Sequence, residues 1–503
     1  MRRHRTRILL GLLLGCGAPP TRAPAHVPNE SAHQVRHDDS PNSARWRGFN
    51  LLGMFRKEQA TSAFNEDDFK WIHELGFNFV RLPMDYRIWT DEKNWHKLDE
   101  RSLTRIDEAV AWGQKYDLHV CLNLHRAPGY TVARPPEERS LWTDLEAQEA
   151  FRYQWTSLAL RYRGTPAEDL SFNLLNEPAG VDAATYGKLV RTVSQAIWEI
   201  DPKRPIIVDG LEYAEQPLPT LSDLPVIQAT RGYAPRQLTH WDPTSTDFLI
   251  PEWPMPNVNR LIFGSQKPEL KSPLRIEGAF PIATTLTLHV LQVSTRAHVE
   301  IKANGAPVWK KTFAPGPGEG EWKKVVFKPE WSTYQNIYDR DYVVDIPAGT
   351  NAIELSVEDG DWLSFSSIAI GRSHLSATTE DFTAKQGVVH LKLDGSVDPE
   401  RTPMIDRAWL ASGLAPWKEA EHNGVRVFVG EFGAFHKAPH GAVLAWMEDE
   451  LSTWKKAGWG WALWNFRGEF GILDSERADV AYEPFHGHKL DRKMLTLLQR
   501  HLQ

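Results

Sequence analysis

A chain of 503 residues is longer than one ordinary domain. The natural division is an α/β barrel, which alone uses about 250 residues, plus one smaller domain. Hydrophobic residues at 41% and charged residues at 24% exclude a disordered or polytopic chain, and the formal net charge of -7 supplies no field to draw nucleic acid or anionic lipid, so a neutral partner fits better.

The first residues, Met1-Arg2-Arg3-His4-Arg5-Thr6-Arg7, are basic; Ile8 to Leu14 is apolar but too short to cross a bilayer, and Gly15-Cys16 follows. That pattern is an export signal. Leu13-Leu14-Gly15-Cys16 also resembles a bacterial lipoprotein cleavage site, although Leu14 is not the usual residue there, so plain secretion stays open. The expectation is an exported bacterial protein, either extracellular or periplasmic or an outer-membrane lipoprotein, touching a membrane only through a lipidated Cys16. Residues 17–44 are rich in Pro, Ala, His, Asn and Ser with no apolar period and read as a tether.

From residue 45 the pattern alternates strand and helix. Strands are predicted at Trp46 to Leu52, Phe77 to Pro83, His119 to Leu124, Leu170 to Leu174, Pro205 to Gly210 and Leu224 to Ala229, with helices over Asn65 to Leu75, Leu103 to Tyr116, Leu145 to Tyr162 and Ala183 to Ile200. Strands that are apolar throughout, separated by helices, mean a parallel sheet covered on both faces. Cys121, inside the third strand, reads as a buried, inert thiol.

Between residues 263 and 388 no helix is predicted. About eight short alternating runs, from Leu274 to Ile370, are separated by turn signals such as Asn304-Gly305 and Asp359-Gly360, which predicts a β-sandwich of jelly-roll type. Over 389–503 the earlier rhythm resumes, with strands at Val425 to Val429 and Trp459 to Trp464 and helices within Thr402 to Glu421, Gly441 to Ala457 and Asp491 to Leu502. The fold expected is therefore an α/β chain: a (β/α)8 barrel with an all-β sandwich inserted in the sixth strand-to-helix loop, on the face where such barrels carry their sites.

Polar residues sit where the strands end. Arg81 ends the second, His125 the third, and Asn176-Glu177 the fourth; Tyr233 follows the sixth, Glu431 ends the seventh and Trp464 the eighth. Each alone has an ordinary explanation, as a surface cation, a satisfied core histidine, a turn or a packing aromatic. Delivery of all of them to one mouth has not, and two strand-ending glutamates point to an acid and a nucleophile facing one sugar linkage. There are 21 Trp, flat apolar faces that fill cores or stack on sugar rings.

On the Arg81 strand, His125 with Pro128-Gly129, Leu175-Asn176-Glu177-Pro178, Tyr233, Gly430-Glu431-Phe432-Gly433 and Gly460-Trp461-Ala462-Leu463-Trp464, the chain resembles glycoside hydrolase family 5, cellulase-like members of the retaining barrel clan. The resemblance implies Glu177 as general acid/base and Glu431 as nucleophile. It further implies Asn176 on the sugar 2-hydroxyl, Arg81 and Tyr233 orienting Glu431, His125 lining the site and Trp464 as stacking platform. An arginine beside one carboxyl and apolar surroundings at the other would split their protonation in that sense. No metal or cofactor is called for.

One departure stands out: the family places a histidine two residues before the tyrosine, and here that position is Arg231. Either Arg231 acts on the nucleophile or a substrate hydroxyl, or the alignment slips and His240 takes part instead. In the predicted sandwich the aromatic candidates for carbohydrate are Trp309, Trp322, Trp331, Tyr334 and Trp362, of which Trp362, in Asp359-Gly360-Asp361-Trp362, is expected to be exposed.

The function expected is a retaining endo-β-1,4-glucanase with a polysaccharide or oligosaccharide substrate. The alternatives are an exo-acting β-glucosidase or β-1,3-glucanase, a β-mannanase, and, from another class, a non-catalytic polysaccharide-binding protein.

Overall fold

The computed structural model describes residues 43–59, 63–91, 94–243 and 250–503. The export segment, Cys16 and nearly all of the tether lie outside the described residues. Eight strands, Arg47–Asn50 (β1), Phe79–Asp85 (β2), His119–Arg126 (β3), Leu170–Asn173 (β4), Ile206–Asp209 (β5), Ile227–Gly232 (β6), Arg426–Phe432 (β7) and Gly460–Leu463 (β8), close in that order into a parallel barrel. Every residue of β2 and β3 is buried, which is why these segments read as apolar runs with a few polar interruptions.

The helices lie between the strands: Glu66–Glu74 (α1), Glu100–Lys115 (α2), Leu145–Arg161 (α3), Ala183–Ile200 (α4), Arg407–Gly413 (α5), Ala415–His422 (α6), His440–Ala457 (α7) and Arg492–Arg500 (α8). Asn65, Asp99, Asp144, Asp182, Asp406 and Asp491 each accept from a first-turn N–H, so a short polar side chain starts most of the helices. The single predicted helix within Thr402 to Glu421 is two, α5 and α6, because Pro416 sits in the first turn of a new helix rather than inside an old one.

The chain between β6 and β7 forms two more sheets. One runs Leu261–Phe263, Trp362–Ile370, Thr284–Ser294, Thr333–Ile346, Phe327–Lys328, with Ser373–Ser376 beside the second of these. The other runs Ala306–Phe313, Ala297–Ala303, Thr350–Gly360, Leu274–Phe280, Val388–His390. Residues of both sheets, among them Leu288 and Phe365 of the first and Ile301 and Leu355 of the second, share one apolar core. Entry and exit of this insert meet where Met255–Pro256 pairs antiparallel with Met404–Ile405, so the barrel is interrupted at one point without being distorted.

Two expectations for this region need correction. One of the predicted runs, Trp322 to Phe327, is not a continuous strand: Lys324 makes an isolated bridge to Ile337 and Phe327–Lys328 pairs as a short strand, after a run loosened by Gly316, Gly318 and Gly320. Trp362 is not exposed: only 6% of its surface is accessible. Gly360, at φ 107°, makes the turn, and Trp362 already pairs with Phe263 while its ring meets Phe382 at 6.0 Å. The aromatics of this region that do face solvent are Trp331 at 63%, Phe327 at 48% and Phe382 at 46%.

Candidate active site

Successive side chains of a strand face opposite ways. Phe79, Cys121, Ile207, Ala229, Phe428 and Ala462 come from six different strands yet form one apolar cluster with Trp46 and Ile227, which only the barrel lumen permits. Burial in that cluster pushes the Cys121 thiol up to about 12, so it stays a neutral thiol. Two residues further along the same strands stand Arg81, Asn123, Asp209 and Arg231, joined by Asn173 of β4. The lumen thus has an apolar floor and a polar layer above it.

Arg81, 1% exposed, is the hub of that layer. Its Nε donates to Asn173 Oδ1 at 2.9 Å, Nη1 to Asn50 Oδ1 at 2.9 Å and to Glu431 Oε1 at 2.6 Å, and Nη2 to Asn176 Oδ1 at 2.9 Å. Strand parity alone would turn Glu431 away, since Phe428 and Gly430 point inward. The pairing of β7 with β6 runs Val429 to Thr230 and then Glu431 to Arg231, so Gly430 is an extra residue, a bulge that re-aims Glu431 into the lumen. Asn50 Nδ2 donates to the carbonyl of Gly430 at 3.1 Å. A Cβ at Gly430 would lie 3.1 Å from Arg231 Nη1, so glycine leaves the room that guanidinium occupies.

Glu177 follows β4 in a left-handed conformation, φ 49°, uncommon for a residue with a side chain. Two groups hold it there. Asp209 Oδ2 accepts from the Glu177 N–H at 2.9 Å, and the Tyr130 hydroxyl donates to its carbonyl at 2.6 Å. The Glu177 carboxyl accepts from Arg231 Nε at 2.9 Å. Burial pushes that carboxyl up to about 7, with Arg231 opposing and the neighbouring Glu431 adding to the rise.

Arg231 belongs to the lumen because β6 continues through Gly232, further than predicted. Its Nη2 bonds Asn176 Oδ1 at 2.9 Å, pairs with Asp209, and lies 3.2 Å from Glu431 Oε1. One edge of one guanidinium therefore meets Glu177, Asp209 and Glu431. The raised carboxyl of Glu177 is thus a group that can hold a proton near neutral pH. His240 does not take this place: it packs edge-on against Tyr233 at 5.2 Å and bonds its neighbour Thr239.

The remaining sequence candidates line the same mouth. Tyr233, kept protonated by burial, donates to Glu431 Oε2 at 3.2 Å. With its oxygen held by two guanidiniums, Asn176 presents its NH2 group, 3.5 Å from His125 Nε2. Burial and the nearby guanidiniums hold His125 well below its usual range, hence neutral, and its Nδ1 has no partner among the described residues. Trp464 sits 5.6 Å from His125 and 5.5 Å from Phe55, ring to ring, half-buried at the rim. Trp362 stands apart, in a small apolar cluster of the insert with Leu261 and Phe263.

Sequence reasoning passed over Asp209, Asn173, Asn50 and Tyr130. Asp209 carried a readable signal, a carboxylate ending an Ile-Ile-Val strand. Asn50 and Asn173 sit inside or at the end of strands as ordinary amides, and only the closed barrel turns them toward Arg81.

A closed parallel barrel with two carboxyls gathered on one guanidinium at the C-terminal ends of its strands defines the class of barrel proteins built for two-carboxylate chemistry. The family model described as Cellulase (glycosyl hydrolase family 5) matches residues 37–250. Endoglucanase C of Acetivibrio thermocellus is 34% identical over 203 residues, 38% of this chain and 59% of that protein. Cellodextrinase A of Ruminococcus flavefaciens is 29% identical over 221 residues, 41% of this chain and 63% of that protein. The chain thus spans about three fifths of the length of these relatives. A crystal structure of a glycoside hydrolase covers 91% of this chain and 99% of its own at 26% identity, with a TM-score of 0.57. Over residues 37–250 the chain is thus similar to glycoside hydrolase family 5.

Proposed function

We propose that this protein is a retaining glycoside hydrolase of β-linked glucans, an endo-β-1,4-glucanase. The observation that carries the reading is the sharing of one Arg231 edge by Glu177 and Glu431, with burial raising the Glu177 carboxyl to about 7. A carboxyl that keeps its proton near neutrality can protonate a departing glycosidic oxygen, while Glu431 attacks the anomeric carbon to form a covalent glycosyl-enzyme. Glu177, now ionised, takes a proton from the water that releases the sugar. The NH2 of Asn176 is placed to meet the 2-hydroxyl, and Trp464 offers a face for the ring. The similarity to an endoglucanase and a cellodextrinase supports glucan as the substrate.

The test is a panel of defined β-glucan oligosaccharides, a long polymer and aryl β-glycosides, with the anomeric form of the first product followed by NMR. Falling viscosity and retained configuration are expected. Failure to hydrolyse any of them overturns the reading; release of single sugars with no fall in viscosity overturns endo action.

Glu177 should set the alkaline limb of kcat/KM near pH 7, because the first step needs its proton. Arg231 lowers that pKa, so Arg231→Gln moves the limb upward, by about one pH unit. A limb that stays in place or moves to lower pH would show that another group titrates.

Two further elements belong to the same proposal. Export with lipid attachment at Cys16 rests on the basic and apolar N-terminal residues. Contact of the insert with polysaccharide rests on its solvent-facing Trp331 and Phe327, and no longer on Trp362.

A further inference from the structure

Arginine is always charged, and Arg231 Nε bonds the Glu177 carboxyl at 2.9 Å. A cation so placed favours the ionised form of a group that the first chemical step needs protonated. Beside it stands Asp209, which ends β5 with 0% of its surface exposed. Its Oδ2 accepts from the Glu177 N–H at 2.9 Å and pairs with Arg231 Nη2, and its Oδ1 accepts from Asn173 Nδ2 at 2.9 Å. All three neighbours are donors, the surroundings of a carboxylate. The main chain there is held as well. The Tyr186 hydroxyl donates to the Asp209 carbonyl at 3.2 Å, and the next N–H, of Gly210, donates to the carbonyl of Ala229 on β6 at 3.0 Å.

One oxygen of Asp209 thus touches two determinants of the acid. The first is its backbone. Glu177 is left-handed, and such a conformation persists where surrounding bonds impose it. Asp209 holds the N–H side of the residue and Tyr130 the carbonyl side, and the Tyr130 oxygen in turn accepts from the Ala179 N–H at 2.8 Å. The second is charge, because the anion that fixes the main chain of the acid also faces the cation bonded to its carboxyl. Burial is the chief cause of the raised Glu177 carboxyl; Arg231 opposes it, and Glu431 and Asp209 add to the rise.

The other titratable groups around Glu177 are Tyr233 after β6, Glu431 of β7 and Tyr130 after β3, with Arg81 of β2 bonded to Glu431. Glu215 and the buried Glu450 line the same cavity as Glu177, a cavity partly walled by the insert. Among these groups, Asp209 is the one bonded both to the backbone of Glu177 and to the cation on its carboxyl. We infer that Asp209 is a positioning residue of the acid: through Oδ2 it fixes the main chain of Glu177 and holds Arg231, so that a guanidinium can sit against the acid without taking its proton. The inference rests on the glucanase reading above.

The experiment follows kcat/KM against pH for cellotetraose, whose sugar leaving group needs the acid, and for dinitrophenyl β-cellobioside, whose leaving group does not, in the wild type, Asp209→Asn, Arg231→Gln and the double variant. Asparagine keeps an oxygen for the Glu177 N–H, gives up the bond from Asn173 and carries no charge. Arg231 then acts on Glu177 with less opposition, so the alkaline limb for cellotetraose should move down by about one pH unit, opposite to the shift in Arg231→Gln. The double variant loses one charge of each sign and should return the limb close to its wild-type place. At its optimum pH, Asp209→Asn should lose about tenfold on cellotetraose, its acid being less firmly held, and stay within about threefold on the dinitrophenyl substrate. A residue that only stabilised the fold would lower both substrates together and leave the limb in place. A limb unmoved or moved upward in Asp209→Asn, or an equal loss on both substrates, overturns the inference. Should that variant not fold, a double variant whose limb coincides with that of Arg231→Gln overturns it equally. Absence of hydrolysis of both substrates by the wild type overturns the glucanase reading instead.

Discussion

Glu431→Gln should reduce turnover of an aryl β-cellobioside on the order of 10⁶-fold, the scale on which other enzymes lose activity with their covalent nucleophile. The amide is close in shape to the carboxylate, and its oxygen can still accept from Arg81 and Tyr233, so oligosaccharide affinity should stay within several-fold of wild type. What is lost is the electron pair that forms the bond to the anomeric carbon. Glu177→Gln should behave differently because an acid is needed only where the leaving group is poor. Its rate should fall by about 10²–10⁴ for a sugar leaving group and much less for a dinitrophenyl one. Steady-state kinetics with both leaving groups, alongside calorimetric binding, separates the two roles. Substantial turnover by Glu431→Gln would place the nucleophile elsewhere, and a uniform loss by Glu177→Gln across leaving groups would remove it as the acid.

The second large effect is on stability. Arg81→Met takes away a 1% exposed guanidinium that donates to Glu431, Asn50, Asn173 and Asn176. It leaves the Glu431 carboxyl, 3% exposed, beside the other carboxyls with only Arg231 as cation. Breaking a buried pair from one side typically costs about 3–5 kcal/mol, which in a chain of this size lowers the melting temperature by about 3–5 °C. Arg81→Lys should recover little, since one ammonium cannot reach acceptors spread along three edges of a planar fork. Thermal melting and denaturant midpoints decide it: a loss below about 1 kcal/mol would mean that the network relaxes around the gap and that Arg81 does not organise the layer.

Much of this architecture was legible along the chain. Apolar runs of strand length alternating with amphipathic stretches imply a parallel sheet, because helices covering both faces leave no polar side for the strands. The break in that rhythm after β6 was equally plain, since two-residue alternation with Asn-Gly and Asp-Gly turns is local chemistry. Strand-ending Arg81, His125, Asn176, Glu177 and Glu431 stood out for the same reason: each interrupts an apolar run at its end.

What resisted reading was the choice between faces and partners. Asp-Gly-Asp before it predicts an exposed Trp362, yet the turn closes at Gly360 and the strand begins at Trp362 itself, paired with Phe263. Arg231 seemed to lie in a loop because Thr230-Arg231-Gly232 is not apolar, but its polarity is matched by Asp209 and Glu177 across the lumen, groups distant in sequence. Glu431 points inward only because Gly430 bulges, a property of its pairing with β6.

The order of residues by itself determined the strands, the helices, the place of the insertion and which polar groups would arrive at the barrel mouth, because these depend on side-chain periodicity and turn chemistry over a few residues. Only the closed tertiary structure decided which groups meet: that Arg231 bridges Glu177, Asp209 and Glu431, that burial raises the Glu177 carboxyl, and that Glu450 is buried beside a cavity partly walled by the insert. The reason is physical. Burial and charge pairing, which set protonation and hold side chains in place, are sums over neighbours brought together from all eight strands, and no single stretch of chain contains them.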